Sequence, residues 1–439
     1  MEPQHILEPL PKLFHMIKSK NFINNISAID FAKQAFLAKK NLANLSTQVK
    51  NAILLQVAQE IINNSSAILQ ANHLDLENAK QNNLEPSKID RLMLTEKALN
   101  NIAQSIIEIA NLPDPVGKIS YDVSRKNGLN IKRISVPIGV LLVVYESRPN
   151  VTSDVSALAI KSGNVAMLRC GSDSYQSSKE IANIYKKVLQ SFNLDSNIIS
   201  FCYNNKRDFL QQLLQLSQYI DVIIPRGGKS LISAISNNTK IPLFKHLDGN
   251  CHTYVHCDAN FDKAIQIILN AKLRRTGICG ATESLLIDEC IANQFLPLLC
   301  KALQEKQCQI RGDALSCSLN SYILPATEQD FYQEYLDKIV SLKIVNNLTA
   351  AIDWINTYSS SHTESIITEN SQVANQFLQQ IDSAIVMHNA STQFADGGEF
   401  GLGAEVGIST GKLHARGPVG LEQLTTYKYL VSADCGLRD

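Results

Sequence analysis

The 439-residue chain carries no excess of either charge: 41 lysines and arginines balance 41 aspartates and glutamates. No global field therefore draws it to nucleic acid or to an anionic membrane. Its longest strongly apolar run, VPIGVLLVVY (Val136–Tyr145), is too short to span a bilayer and contains Pro137. The first residues hold early acids and prolines but no apolar stretch, so 1–24 reads as a loosely attached extension rather than a signal peptide. Cysteine is plentiful, at ten residues, yet CxxC spacing is absent, and a chain this long needs no disulfide staples. Reduced thiols in a cytoplasmic protein follow, most of them small buried apolar residues. Two nucleotide fingerprints are also missing. There is no G-x-G-x-x-G, and the Walker loop lacks its first glycine, because Ile223 stands five places before Gly228.

What is present reads as an α/β protein. Residues 22–115 have helical periodicity, with Leu54, Val57, Ala58 and Ile61 on one face. ISYDVS (Ile119–Ser124) and LNIKRISV (Leu129–Val136) alternate apolar and polar around Asn127-Gly128, which predicts a hairpin whose two central residues both take positive φ. Such a hairpin is marginal alone and calls for another subunit or the C-terminal strand LTTYKYLVSA as partner. From Val140 to Lys245, candidate strands at Val140–Tyr145, Val165–Arg169, Ile198–Tyr203, Asp221–Ile224 and Ile241–Lys245 alternate with amphipathic helices. That alternation implies a parallel, doubly wound sheet with ligands beyond the carboxyl ends of its strands. A second αβ segment follows, from about 246 to 390, and then a glycine-rich stretch, Phe394–Gly411.

Four constellations carry chemistry. PRGGKS (Pro225–Ser230) ends a strand and opens a helix, where backbone N–H groups favour an anion; the bland alternative is a glycine turn. LRCGSDS (Leu168–Ser174) sets Arg169, Gly171 and Ser172 at a strand end, which suits a 2′-phosphate but also an ordinary solvated loop. CHTYVHC (Cys251–Cys257) looks like a metal cluster. In a strand, however, His252 and His256 share one face while Cys251 and Cys257 point to the other, and no tetrahedral site closes without a bend or outside ligands. The expectation is therefore no metal. RRTGICGATES places Cys279 between Gly277 and Gly280, after Arg274 and Arg275, whose charges can lower a thiol pKa from about 8.5. No His/Asn pair at papain-like spacing accompanies it.

Several of these stretches recur together in one family. YESRPNVTSD (Tyr145–Asp154), DVIIPRGGKSLI, HLDGNCH (His246–His252), GICGATE, SSHTESIIT and the long NASTQFADGGEFGLGAEVGISTGKLHARGPVGLEQLTTYKY resemble the gamma-glutamyl phosphate reductases, a divergent branch of the aldehyde dehydrogenase superfamily. The resemblance runs from about residue 25 to the C-terminus.

It implies an aldehyde-dehydrogenase-like fold: two doubly wound parallel-sheet domains plus a β-hairpin oligomerisation element. The expected NADP-binding domain comprises 25–118 and 137–245, completed by 392–413. The catalytic domain is expected at 246–391 and the oligomerisation element at 119–136 and 414–439. The implied reaction is NADPH-dependent reduction of L-glutamyl 5-phosphate to glutamate 5-semialdehyde, the second step of proline synthesis, in a single-function homo-oligomer. A glutamate 5-kinase, as source of the labile phosphate, is the candidate protein partner. Cys279 matches the nucleophile and Asn150 the oxyanion donor. By position Arg169, Gly171 and Ser172 would meet the adenosine ribose phosphate, and Pro225, Arg226, Gly227 and Gly228 the pyrophosphate. Glu399, directly before Phe400, stands where a nicotinamide-ribose glutamate is expected, one place out of register. His252, Arg274 and Arg275 are candidates for the substrate's charges. His246 stands where hydrolytic relatives carry a water-activating glutamate, as expected if phosphate, not water, is the acyl partner. Departures are Cys170, where the family more often has glycine, and Gly280, where it usually has asparagine. The competing readings are a general NAD(P)-dependent aldehyde dehydrogenase and a catalytically silent binding homologue.

Overall fold

The computed structural model describes residues 26–42 and 45–438. The extension expected over 1–24 lies outside the described residues. The helical periodicity resolves into α1 (Ala28–Leu42), α2 (Thr47–Asn63), α3 (Ser65–Gln81), α4 (Pro86–Leu92) and α5 (Glu96–Asn111). Leu54, Val57, Ala58 and Ile61 are all buried on α2, as their spacing requires.

Next comes the hairpin of β1 (Ile119–Ser124) and β2 (Asn130–Pro137). Its turn differs from the expected two-residue form. Only Gly128 has positive φ, at 83°, and the loop closes through Gly128 N–H to Arg125 O and Arg125 N–H to Leu129 O. A longer loop with glycine in the left-handed position keeps the strands twisted without forcing Asn127 there. β2 also pairs with the C-terminal strand β16 (Thr425–Ser432), giving a three-stranded antiparallel sheet in the order β1-β2-β16.

The first parallel sheet is built from β3 (Val140–Tyr145), α6 (Pro149–Ser162), β4 (Val165–Cys170), α7 (Tyr175–Ser191), β5 (Ile199–Phe201), α8 (Arg207–Leu213), β6 (Val222–Arg226) and α9 (Lys229–Asn237), in the order β5-β4-β3-β6. β3 and β4 are buried along their whole length, as a sheet covered on both faces demands. Gly163, at φ 76°, ends α6 and lets the chain turn straight into β4. The strand expected at Ile241–Lys245 is reduced to one bridge, Leu243 to Ile223. Pro242 has no N–H to give to a ladder.

The second sheet has seven parallel strands in the order β10-β9-β11-β8-β7-β12-β13. They are β7 (Cys251–Val255), β8 (Thr282–Asp288), β9 (Gln309–Gly312), β10 (Leu324–Pro325), β11 (Ile339–Val345), β12 (Thr363–Ile367) and β13 (Ile385–His388). Helices α10 (Phe261–Leu273), α11 (Glu289–Glu305), α12 (Ala314–Leu319), α13 (Glu328–Phe331), α14 (Leu348–Tyr358) and α15 (Ser371–Gln380) connect them. This half has its own hydrophobic clusters, separate from the one that joins α1–α9 to the first sheet. The short pair β14 (Ile408–Ser409) and β15 (Gly417–Pro418) closes the glycine-rich stretch. The doubly wound α/β architecture with an attached hairpin sheet is thus present.

Candidate active site

The loops that bear polar side chains face one another across a cavity of about 670 Å³. From the first sheet come the carboxyl ends of its strands: Arg148 and Asn150 after β3, and Pro225, Arg226, Gly227 and Gly228 at the end of β6. From the second come the amino ends: His246 before β7, and Arg274, Arg275 and Cys279 before β8. Lys229 to Asp248, at 2.6 Å, and Arg91 Nη2 to Gly277 O, at 3.0 Å, tie the two walls together.

Cys279 is the chemical centre. His246 and His362 stand against it, the three ligand-type atoms lying within 4.8 Å of one another. His362 immediately precedes β12, whose neighbour β7 lies beside β8. Burial alone pushes the Cys279 thiol up, but the two imidazoles, by charge and by hydrogen bonding, outweigh it and hold the thiol well below its ordinary range. Burial works against the His246 imidazolium, yet the Cys279 thiolate and the Ile408 carbonyl together raise its pKa. His246 Nδ1 lies 2.9 Å from Ile408 O. A carbonyl only accepts, so Nδ1 carries a hydrogen and Nε2 is the atom left for the sulfur.

Five buried cysteines behave differently. Burial pushes the thiols of Cys202, Cys300 and Cys308 up to about 11 and that of Cys170 up to about 12, and it raises Cys251 well above its ordinary value. Only a thiolate is a useful nucleophile near neutrality, which singles out Cys279. Its backbone is wedged in place: a Cβ added at Gly249 would lie 2.6 Å from Cys279 Cα. Cys251 Sγ also donates to Cys279 O at 3.1 Å.

Asn150 sits in the first turn of α6, where Nδ2 donates to Asp154 Oδ2 at 3.1 Å. The amide has two N–H groups, so one remains for the cavity. Burial, only partly offset by that hydrogen bond, pushes Asp154 up to about 6. Five arginines and Lys229 line the cavity, together with the carboxylates Asp248, Glu334, Asp396, Glu399 and Glu405. Burial, with Arg226 and Arg91 nearby, draws Arg148 down to about 10, which leaves it charged at neutral pH. Burial lifts Glu405 to about 7 despite Arg226.

The sequence-derived residues divide clearly. Cys279, Asn150, Pro225–Gly228, Arg274, Arg275 and Glu399 all line the cavity. Arg169, Gly171, Ser172 and Phe400 do not: the first three lie at the carboxyl end of β4, and Phe400 is exposed. His252 does not reach the cavity either. It is wholly buried in β7, with Nδ1 3.0 Å from Glu364 Oε2. Sequence reasoning missed Arg91, Arg148, His362 and Gln393. The last accepts from Arg274 at 3.2 Å while donating to Ala271 O at 2.8 Å, and so aims that guanidinium. His362 and Arg148 lie inside motifs already quoted, SSHTESIIT and YESRPNVTSD; Arg91 carries no local signal.

A nicotinamide cofactor fits these residues. The Nε atoms of Arg169 and Arg226 are buried without partners, and beyond the Cα of Gly228 there is open space at a helix N-terminus. Unspent donors and an unobstructed glycine are what a diphosphate needs.

Residues 20–316 match the family model described as "Aldehyde dehydrogenase family". A gamma-glutamyl phosphate reductase of Parvibaculum lavamentivorans is 49% identical over 396 residues, covering 90% of this chain and 93% of that one. One from Bartonella quintana is 48% identical over 410 residues, covering 93% and 99%. The crystal structure of the gamma-glutamyl phosphate reductase of Thermotoga maritima superposes with a TM-score of 0.92 at 40% identity, over 94% of this chain and all of that one.

Proposed function

Because the chain belongs to the gamma-glutamyl phosphate reductases, within the aldehyde dehydrogenase family, we propose that its cavity reduces L-glutamyl 5-phosphate to glutamate 5-semialdehyde through Cys279. The enzyme is an oxidoreductase of proline biosynthesis acting on an acyl phosphate with a nicotinamide cofactor. The observation that carries the finer reading is the Cys279–His246–His362 cluster facing an arginine-lined cavity.

The substrate is polyanionic, and Arg148, Arg226, Arg274 and Arg275 offer charge-assisted donors to its phosphate and carboxylate. The Cys279 thiolate attacks the acyl carbon and phosphate leaves, giving a thioester on Sγ. The oxyanion formed at that carbon takes hydrogen bonds from Asn150 Nδ2 and the Cys279 backbone N–H. NADPH supplies hydride to the thioester when bound. Collapse of the resulting thiohemiacetal returns the sulfur as thiolate, and the neighbouring imidazolium stabilises that anion. His246, whose Nδ1 is committed to Ile408 O and whose other nitrogen faces the sulfur, stands where hydrolytic relatives carry a water-activating carboxylate, in keeping with phosphate as the acyl partner.

Cofactor handling is assigned to Pro225–Gly228 for the pyrophosphate and to Arg169, Gly171 and Ser172 for the NADP ribose phosphate. Glu399 lines the nicotinamide side of the cavity and Phe400 flanks it. Residues 25–118, 137–245 and 392–413 are assigned to the cofactor and 246–391 to catalysis, supported by the first parallel sheet falling within 137–245 and the second within 246–391.

The reaction is tested in reverse. Formation of NADPH from glutamate 5-semialdehyde and NADP should require inorganic phosphate. Equal rates without phosphate would point instead to a hydrolytic aldehyde dehydrogenase.

Assembly rests on the hairpin sheet. Every residue of β16 from Thr426 to Ser432 is exposed, including Tyr427, Tyr429 and Val431. An uncovered edge strand with apolar side chains is a pairing surface, and a second copy is its occupant. Val431→Lys should therefore lower the mass measured by light scattering while leaving the far-UV spectrum intact. An unchanged mass would remove β16 from the interface.

A further inference from the structure

In the second sheet the connections leaving β7 and β12 run in opposite directions: β7 leads to β8, and β12 to β13 on the other side. The crevice at the carboxyl ends of β7 and β12 is therefore a topological switch point, the place where open parallel sheets bind ligands. Cys279 uses the opposite, amino-terminal ends, which leaves this crevice without a role. It is not bland. On its β8 side, at the carboxyl ends of β7 and β8, Cys257 Sγ, Cys290 Sγ and a carboxylate oxygen of Asp288 lie within 4.8 Å of one another, and next to them so do ligand atoms of His256, Cys257 and Asp258.

We propose that this crevice is a binding site for a thiophilic divalent cation of the zinc class, held by Cys257, Cys290, Asp288 and His256. Two thiolates, a carboxylate and an imidazole form a donor set suited to tetrahedral Zn²⁺. With metal–sulfur bonds of about 2.3 Å, a tetrahedron sets its sulfurs about 3.8 Å apart, so the Cys257–Cys290 sulfur pair needs to close by no more than about 1 Å. Asp288 is almost fully buried and already oriented. Tyr254 donates to its Oδ1 at 2.6 Å and the Cys257 N–H to its Oδ2 at 2.8 Å, the outer contacts a ligating carboxylate needs. His256 Nε2 stands 3.5 Å from Cys257 Sγ and 3.8 Å from Asp288 Oδ2. Its Nδ1 has two neighbours, the Asp258 N–H at 3.2 Å and Thr368 Oγ1 at 3.3 Å. Nδ1 accepts the Asp258 N–H here, so ligation through Nε2 requires that backbone hydrogen bond to give way to an Nδ1–H donated to Thr368. Both sulfurs are exposed, so the ion has a path in. The objection to CHTYVHC as a metal motif, that a strand cannot close the site without a bend or outside ligands, is met here. The chain leaves the strand after Val255, and Asp288 and Cys290 arrive from β8 and α11.

The catalytic cluster also contains a thiolate and two imidazoles, so the test uses protein carrying Cys279→Ser. Reduced protein is titrated anaerobically with Co²⁺. The expected result is one equivalent bound, with a sulfur-to-cobalt charge-transfer band and tetrahedral d–d bands that Zn²⁺ abolishes. Adding Cys290→Ser should lose the charge-transfer band or halve it and weaken cobalt binding at least tenfold. In the otherwise native chain, Cys290→Ser should leave reductase activity unchanged, which confirms the fold and separates this site from the catalytic one. Absence of any band from the Cys279→Ser protein, or a full band after Cys290→Ser is added, overturns the proposal.

Discussion

Cys279→Ser is expected to abolish acyl phosphate reduction, by roughly 10⁴-fold or more, the scale on which a nucleophile acting within a unit is lost. The reason lies in ionisation. The thiol is held well below its ordinary range because His362 and His246 outweigh the burial that opposes them, whereas a serine hydroxyl in the same place stays neutral. The partners can be tested separately from the nucleophile. Alkylation of native Cys279 by iodoacetamide should be flat through neutral pH and fall only on the acid side, as the depressed pKa is crossed. His362→Asn removes the first of the opposing charges and should move that midpoint upward, towards about 8.5. A thiol of that pKa is only about 3% ionised at pH 7. The thiolate fraction then drops about thirtyfold, partly offset by the greater intrinsic nucleophilicity of a more basic thiolate. A midpoint unmoved in His362→Asn would show that His362 packs against the sulfur without tuning it.

Gly249→Ala should cost about 10²-fold in kcat while the protein remains folded. The added Cβ would lie 2.6 Å from Cys279 Cα, and the carbonyl of Cys279 is closer still. These are backbone atoms, so no rotamer change relieves the clash and one of the two loops must shift by about 1 Å. A displacement of that size between nucleophile and acyl carbon is enough for the expected loss. The variant should still bind NADP, because Pro225–Gly228 lie on the other wall. Steady-state kinetics beside a cofactor titration distinguishes this from unfolding. A near-native kcat would mean that the loop before β7 does not set the nucleophile's position.

Much of this architecture was legible in the sequence. Strands buried on both faces announce themselves as continuous apolar runs, so β3 and β4 were placed to within a residue. Gly163 carries the left-handed turn that ends α6 and sets the start of β4. Short or interrupted segments were harder: Pro242 reduced one expected strand to a bridge, and the Asn127-Gly128 hairpin adopted a longer loop. At the site, Cys279, Asn150 and Pro225–Gly228 line one cavity because each sits in a compact local motif. His362 and Arg91 could not be paired with Cys279 in the same way. Their proximity depends on β12 lying beside β7, and on α4 reaching across to the Gly277 carbonyl, relations that have no local periodicity. His252 failed in the opposite sense. A histidine beside HLDGN looks available, but its place in β7 buries it, with Glu364 on its Nδ1.

Two cores, each with its own sheet, have a mechanical consequence. The nucleophile is mounted on one stiff block and the residues assigned to the cofactor on another, so the transfer distance is set by how the blocks sit, not by any flexible arm. Parting them breaks neither core. The gap is bridged by a surface ion pair, Lys229–Asp248, worth about 0–1 kcal/mol, by the charged hydrogen bond from Arg91 to the Gly277 carbonyl, worth about 1.5–3 kcal/mol, and by further links from the 392–418 stretch, among them Gln393 to Arg274 and Ala271 and Arg416 to Asp382. Polar links of this kind fix the spacing of the two blocks, and with it the distance from Cys279 to the residues assigned to the cofactor, without either core having to deform.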